Sequence, residues 1–271
     1  MKHIFNRSYK VLIKGAGDIA SGIACRLFES GFQIIMTEIP EPTAIRRTVS
    51  FCEAVYEGSI TLEGITAILC KDLNECREAF KDGNICVIID ENASIIHEWK
   101  PDIIIDAILA KRNLGLNIND APVTIGVGPG FCAKSDCDCV IESQRGHDLG
   151  RCIYFGSAAP NTGIPGEVGG YSSERVIKSP SDGIYREIFH IGDYVNKDDI
   201  IAYADDVPVR ATISGILRGQ LRGGLRVHSG MKVADIDPRA EKSHCFSISD
   251  KARSIGGSAL EAILKLGREK F

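Results

Sequence analysis

Short apolar runs alternate with polar or glycine-rich punctuation through the first half of the chain. Residues 10–13 form a β-like run that ends in Gly15-Ala16-Gly17-Asp18. Residues 19–30 follow with Ile19, Ile23, Leu27 and Phe28 at helical spacing, and Gly31 stands where a helix-terminating glycine belongs. A second strand at 32–36 runs into Thr37-Glu38, and further apolar runs lie at 65–69, 86–89, 103–105 and 123–127. Residues 72–81 and 93–99 read as short helices between them. Continuously apolar strands that alternate with helices predict a parallel sheet covered on both faces.

Residues 1–170 are therefore expected to form an α/β, Rossmann-like parallel sheet. The texture changes near Ser172, where a repeat with an offset of 32 residues begins. Gly183, Ile184 and Arg186 fall on Gly215, Ile216 and Arg218, and Gly192, Val195, Ile201 and Ala202 fall on Gly224, Val227, Val233 and Ala234. Such a repeat means two copies of one supersecondary unit sharing a core. Short alternating runs between glycine turns make the units β-rich. Residues 171–240 resemble a biotinyl/lipoyl-type β barrel-sandwich hybrid, but the link at 203–210 carries no lysine for a swinging arm. A structural or docking role is expected instead. In the tail, 241–271, Ala252, Ile255, Ala259, Leu260 and Ile263 keep helical spacing, and Gly256-Gly257 predicts a break between a short and a longer helix.

Composition narrows the function classes. Hydrophobic residues make up 44% and charged residues 25% of 271 positions, which excludes disorder, and a net charge of −4 argues against a globally basic nucleic-acid binder. The longest nearly apolar run, 103–110, contains Asp106 and is too short for a bilayer, and residues 1–7 lack the apolar stretch of a signal peptide. A soluble, cytoplasmic protein without a membrane or nucleic-acid partner is expected. Seven of the ten cysteines are scattered and read as reduced core residues, whereas Cys132, Cys137 and Cys139 cluster.

Candidate chemistry falls in loops. Gly15-Ala16-Gly17, between a strand and a helix start, forms an anion site from free backbone N–H groups, and Glu38 ends the second strand where a carboxylate would hold a ribose hydroxyl. Asp18 opposes a phosphate there, so a loop that only packs the sheet stays open, and Arg46 and Arg47 blur any choice between NAD and NADP. Asp106, Lys111, Arg112 and Asn113 follow a buried strand, as a ligand loop or as a solvated turn. Gly126, Gly128 and Gly130 around Pro129 imply a tight backbone open to a ligand, and Arg145-Gly146-His147 joins an anion binder to a group that titrates near neutrality. Cys132, Cys137 and Cys139 lack the second cysteine pair of a structural zinc site, so no metal is assigned and a reactive thiol at Cys132 is the sharper reading. No serine elbow, Walker loop, paired helical histidines or EF-hand is present. Spacing alone gives an anion-binding protein, with His147 and Cys132 as candidate catalytic groups and no complete reaction set.

Several of these runs together resemble one family. They are G-A-G-D-I-A-S-G, Ile45-Arg46-Arg47, Asp106 with Lys111-Arg112-Asn113, V-G-P-G-F, V-I-E-S-Q-R-G-H-D-L-G-R, N-T-G-I-P-G, Asp235-Ile236-Asp237-Pro238-Arg239 and Ile255-Gly256-Gly257. The chain resembles the YqeB family, accessory proteins of selenium-dependent molybdenum hydroxylase systems. Its Rossmann-like part is similar to XdhC-type proteins, which help insert sulfurated molybdenum cofactor into xanthine dehydrogenase-like enzymes. The resemblance implies a maturation factor with a molybdenum hydroxylase apoenzyme as partner and molybdopterin as cofactor. The binding set would then be Gly15, Gly17, Asp18, Glu38, Asp106, Lys111, Asn113, Gly128, Gly130 and Arg145. The residues also leave open an NAD(P)-dependent oxidoreductase, with Glu38 on the ribose and His147 as acid/base, and a nucleotide-responsive module without turnover. Turnover itself and a homo-oligomeric state stay open.

Overall fold

A computed structural model describes residues 8–271. Residues 1–7, on which the expected absence of a signal peptide rests, lie outside the described residues. Two compact units form: one from the chain up to Pro42 with Phe51–Asn161 and Ile248–Phe271, the other from Thr43–Ser50 and Thr162–Ser247. The C-terminal segment is thus part of the first unit.

The first unit contains strands β1 (Lys10–Lys14), β2 (Gln33–Glu38), β3 (Ser59–Leu62), β4 (Ile65–Leu69), β5 (Ile85–Ile89), β6 (Ile103–Asp106), β7 (Val123–Val127), β8 (Cys132–Ala133), β9 (Cys139–Ile141), β10 (Cys152–Ile153) and β11 (Gly156–Ser157). Its helices are α1 (Asp18–Glu29), α2 (Ala54–Glu57), α3 (Leu73–Lys81), α4 (Ile96–Trp99) and α5 (Asp250–Lys270). Nine strands form one sheet in the order β10-β9-β7-β6-β1-β2-β5-β4-β3, and β8 pairs with β11 apart from it. In the centre, Leu12 lies opposite Ile35 and Ile104, and the three share a buried layer with Leu73 and Trp99.

This corrects the expected architecture of a Rossmann-like parallel sheet followed by a barrel-sandwich hybrid. The sheet is mixed, because β3 and β10 run antiparallel at its two edges. At the first edge Glu63 and Gly64, with φ of 48° and 84°, reverse the chain within two residues, so β3 must return alongside β4. From β6 to β7 the chain runs through irregular backbone with no helix. Apolar runs report burial but not strand direction, so the antiparallel edges left no mark in the pattern.

The second unit holds β12 (Val176–Lys178), β13 (Gly183–Glu187), β14 (Tyr194–Val195), β15 (Ile200–Ala204), β16 (Val207–Arg210), β17 (Gly215–Gln220), β18 (Arg226–Val227) and β19 (Lys232–Asp237). They make two four-stranded antiparallel sheets, β12-β19-β17-β14 and β16-β15-β13-β18, in place of the expected hybrid. The repeat is written in the backbone: Gly183 and Gly215 take φ of 154° and 156°, and Gly192 and Gly224 take 98° and 90°. Each half lends its two-residue strand to the other, β14 to β17 and β18 to β13. The strands β12 and β16 lie outside the matched positions, and each supplies the fourth strand of one sheet.

Helix α5 is continuous from Asp250 to Lys270, capped by the Ser249 side chain, which corrects the expected break at Gly256-Gly257. The glycine at 256 serves close packing: a Cβ there would lie 2.8 Å from the Gly22 carbonyl oxygen, and one at Gly22 would lie 2.6 Å from Ala252 Cβ. Ion pairs at Asp250, Arg253 and Lys270 tie α5 to Arg145, Glu63 and Asp138. The exposed pairs are worth about 0–1 kcal/mol each, so the buried Ala252, Ile255, Ala259 and Ile263 carry the attachment. Among the described residues no helix is long and apolar enough to cross a membrane.

Gly257 has nothing within 4 Å of its missing Cβ. Gly257→Ala should raise stability by about 0.5–1 kcal/mol through helix propensity. Gly256→Ala should lower it by about 1–3 kcal/mol through overpacking. Urea midpoints in the opposite order would contradict a continuous α5 held close to α1.

Candidate functional site

The loops that leave β1, β6, β7 and β9 meet at the carboxyl ends of the strands, where open α/β sheets bind ligands. They touch so closely that side chains are excluded. A Cβ on Gly15, at φ 89°, would sit 3.2 Å from Ile108 Cα, and one on Gly130, at φ 107°, would sit 2.5 Å from the Arg112 backbone nitrogen. One on Gly128 would lie 2.6 Å from Ser143 Oγ. By contrast, nothing lies within 4 Å of a Cβ on Gly17, which opens on free space at the start of α1. Leu109 and Lys111 take left-handed backbone at φ 61° and 62°, a cost of about 1–2 kcal/mol each that the surrounding contacts must hold.

Two carboxylates are built into this cluster. Glu38 ends β2 and accepts the N–H groups of Ala16 and Ile39, each at 2.9 Å. Burial pushes its pKa up more strongly than those two bonds pull it down. Asp106 ends β6, and its Oδ1 accepts the Ile108 N–H at 3.2 Å. Its Oδ2 is buried and faces Lys14 Nζ at 3.4 Å, an ion pair without a well-formed hydrogen bond. Burial raises the Asp106 pKa in spite of Lys14. Asp106 and Lys14 are 2% and 5% exposed, so the pair is nearly dry.

A further charged group, like Lys14, escaped the sequence reading. Lys251, in the first turn of α5, is half-buried, and desolvation pulls its pKa down. Asp18 is the largest opposing influence, Arg145 adds to the lowering, and Glu142 and Asp250 oppose it. No local motif marks Lys251; only the α1–α5 contact brings it to Asp18.

The other sequence candidates divide. Lys111 and Arg112 are exposed on the loop after β6. Asn113 builds its own turn, accepting the Gly115 and Leu116 N–H groups and donating to the Leu116 carbonyl. Arg145 grips Asp250 through two bonds of 2.7 and 2.8 Å. The run around it fastens α5: a Cβ on Gly150 would strike Ser254 Oγ at 2.6 Å, and His147 is left exposed. Cys132 lies in β8, where its N–H donates to Asp136. Arg46 donates to the His244 and Ser247 carbonyls and Arg47 to Glu187, all within the second unit. Cys137 is buried with its pKa pushed up to about 12, and its thiol donates to the Cys139 carbonyl. Among the described residues the cysteine group that could hold a metal is Cys70, Cys76 and Cys86.

No protein-family model matches the chain. Among curated proteins it is 48% identical to YqeB of Escherichia coli (strain K12) over 256 residues, which cover 94% of this chain and 47% of that protein. Over this shared length the chain is similar to YqeB. It spans about half the length of YqeB, and an alignment covering 94% of the chain takes in both units. Solved structures show only faint likeness beside YqeB. The ectoine utilization protein EutE (DoeB) from Ruegeria pomeroyi shares 12% identity at a TM-score of 0.25, covering 84% of this chain and 85% of that one. An aspartoacylase family protein from Mesorhizobium loti shares 10% at 0.28, covering 87% of each. A succinylglutamate desuccinylase/aspartoacylase from Rhodobacter sphaeroides shares 13% at 0.28, covering 84% and 85%. Such scores tie the chain to neither the fold nor the chemistry of those proteins.

The raised Glu38 pKa has a measurable sign. From the ordinary value of 4.5 up to the folded value, the folded chain keeps a proton that the unfolded chain has released. Glu38 therefore contributes stability that is full at low pH and lost as pH rises through its folded pKa. As pH falls from 7 toward 4.5, the urea midpoint of the wild type should gain on that of Glu38→Gln, whereas parallel midpoints would contradict the buried carboxylate.

Proposed function

We propose that the chain is a maturation factor for a selenium-dependent molybdenum hydroxylase, and that the loop cluster at the carboxyl edge of the nine-stranded sheet binds the phosphate-bearing molybdenum cofactor. The observation that carries this reading is the buried Asp106 Oδ2, an acceptor without a well-formed hydrogen bond set among backbone loops too tight for side chains. A pterin ring offers amine and ring N–H groups of the kind such an oxygen accepts. Lys251 and the exposed Lys111 and Arg112 supply the positive charge a phosphate needs, and the open space at Gly17 gives it backbone N–H groups at the start of α1. When bound, the cofactor supplies the molybdenum centre that the client hydroxylase uses. The chain's own residues bind and orient it; Glu38 is tied to two backbone amides and His147 stands exposed, so these two do not work as a paired acid and base.

Glu38 favours this reading over a nicotinamide dinucleotide. The carboxylate that would take a ribose hydroxyl already accepts the Ala16 and Ile39 N–H groups. The choice of client class rests on the family resemblance of the sequence motifs, and the matched YqeB is about twice this length.

Titration of the purified chain with molybdenum cofactor under anaerobic conditions should show binding at micromolar concentration, with NAD(P)H as the comparison. Lys251→Met and Lys111→Met should each weaken it about tenfold, or 1.4 kcal/mol, with the urea midpoint little changed. Binding of NAD(P)H with none of the molybdenum cofactor would overturn the proposal.

A further inference from the structure

Three thiols outside the loop cluster face one another across a single crossover. Cys70 follows β4, Cys76 lies within α3, and Cys86 lies in β5. The Cys70 N–H bonds to the Val87 carbonyl, which fixes the end of β4 beside β5, and α3 packs over β5. All three Sγ atoms lie within 4.8 Å of one another, and the residues are 2%, 0% and 0% exposed. We infer that Cys70, Cys76 and Cys86 form a binding site for one soft closed-shell metal ion, Cu(I) or Zn(II).

Geometry and donor chemistry carry the inference. A metal–sulfur distance of about 2.3 Å places the sulfurs of a trigonal site about 4 Å apart, so the three need close only slightly to share an ion. Three sulfurs with no oxygen donor among them select a soft cation over Mg²⁺, Ca²⁺ or Mn²⁺. Asp72, just before α3, is occupied as the helix cap, accepting the Asn74 and Glu75 N–H groups. Cysteine binds a metal as the thiolate, so binding would release thiol protons. The three cysteines belong to the same buried apolar cluster as Leu12, Ile35, Leu73 and Trp99. On the outer side, Cys76 is among the residues lining an open cavity of about 570 Å³, with Leu73, Phe80 and Trp99. Sequence spacing hid the site, since the three cysteines are scattered along 17 positions on three elements and the visible cluster at 132–139 drew the zinc question away.

The test uses the whole chain, reduced, desalted anaerobically and titrated separately with Cu(I) and Zn(II) against a chromophoric chelator. One equivalent of either ion should stay with the protein, proton release should accompany it, and thermal unfolding should move to higher temperature. Cys76→Ser and Cys86→Ser should lose the retained equivalent, and Cys245→Ser, at a buried thiol in the second unit, should keep it. If the two serine variants do not fold, Cys70→Ser, at the end of a strand, gives the same reading. Retention of neither ion, retention unchanged in all three variants, or a wild-type mass lower by two hydrogens from a disulfide within the cluster would each overturn the site.

Discussion

At Gly22 helix α1 meets Ala252 and Gly256 of α5 with no room for a side chain of its own, and the placement of the candidate site follows from that contact. A methyl group on Gly22 or Gly256 would collide with Ala252 or with the Gly22 carbonyl, so α1 and α5 cross at backbone distance. Since α1 starts at the loop after β1, α5 is positioned against that loop as well. Its first turn then offers Asp250 to Arg145 and puts Lys251 under the influence of Asp18. The run Arg145 to Arg151, one of those that carry the family resemblance, acts here as the fastening for α5: Leu149 accepts from Ser254, and Gly150 leaves room for Ser254 and Ser258.

The charges at the carboxyl edge are arranged at a cost. Lys14 and Asp106 are removed from water with only a long contact between them, and Lys251 is half-buried beside a second cation, Arg145. A buried charge without full compensation destabilises a fold unless something adds the missing partner. The ligand proposed above, an anion with N–H donors, would supply both partners at once, its phosphate at Lys251 and its ring at Asp106. The close contacts of the loop after β6 with its neighbours hold Leu109 and Lys111 in their left-handed backbone.

Much of the first unit was legible because burial writes itself into apolar runs. The strands β1, β2 and β4 through β7, and the helix after Gly17, stand where hydrophobic periodicity placed them. The 32-residue repeat was legible because Gly183 and Gly215 need the same unusual φ, which keeps glycine at matched positions. Strand direction was not, so the mixed sheet replaced the parallel one. Gly256-Gly257 looked like a helix break because propensity carries no information about a neighbouring helix. Asn113 and Arg145 read as ligand groups by type, yet local geometry spends both on holding the backbone and α5. Lys251 and the thiols of Cys70, Cys76 and Cys86 were invisible, because what joins them is tertiary contact rather than spacing.

The most direct measurement is amide hydrogen exchange on the intact chain with and without molybdenum cofactor, read peptide by peptide. The account predicts slowed exchange together in the loops at 15–18, 107–113 and 128–131 and in the first turn of α5, with residues 183–237 unchanged. Protection confined to residues 183–237, or no protection at saturating cofactor, would contradict it.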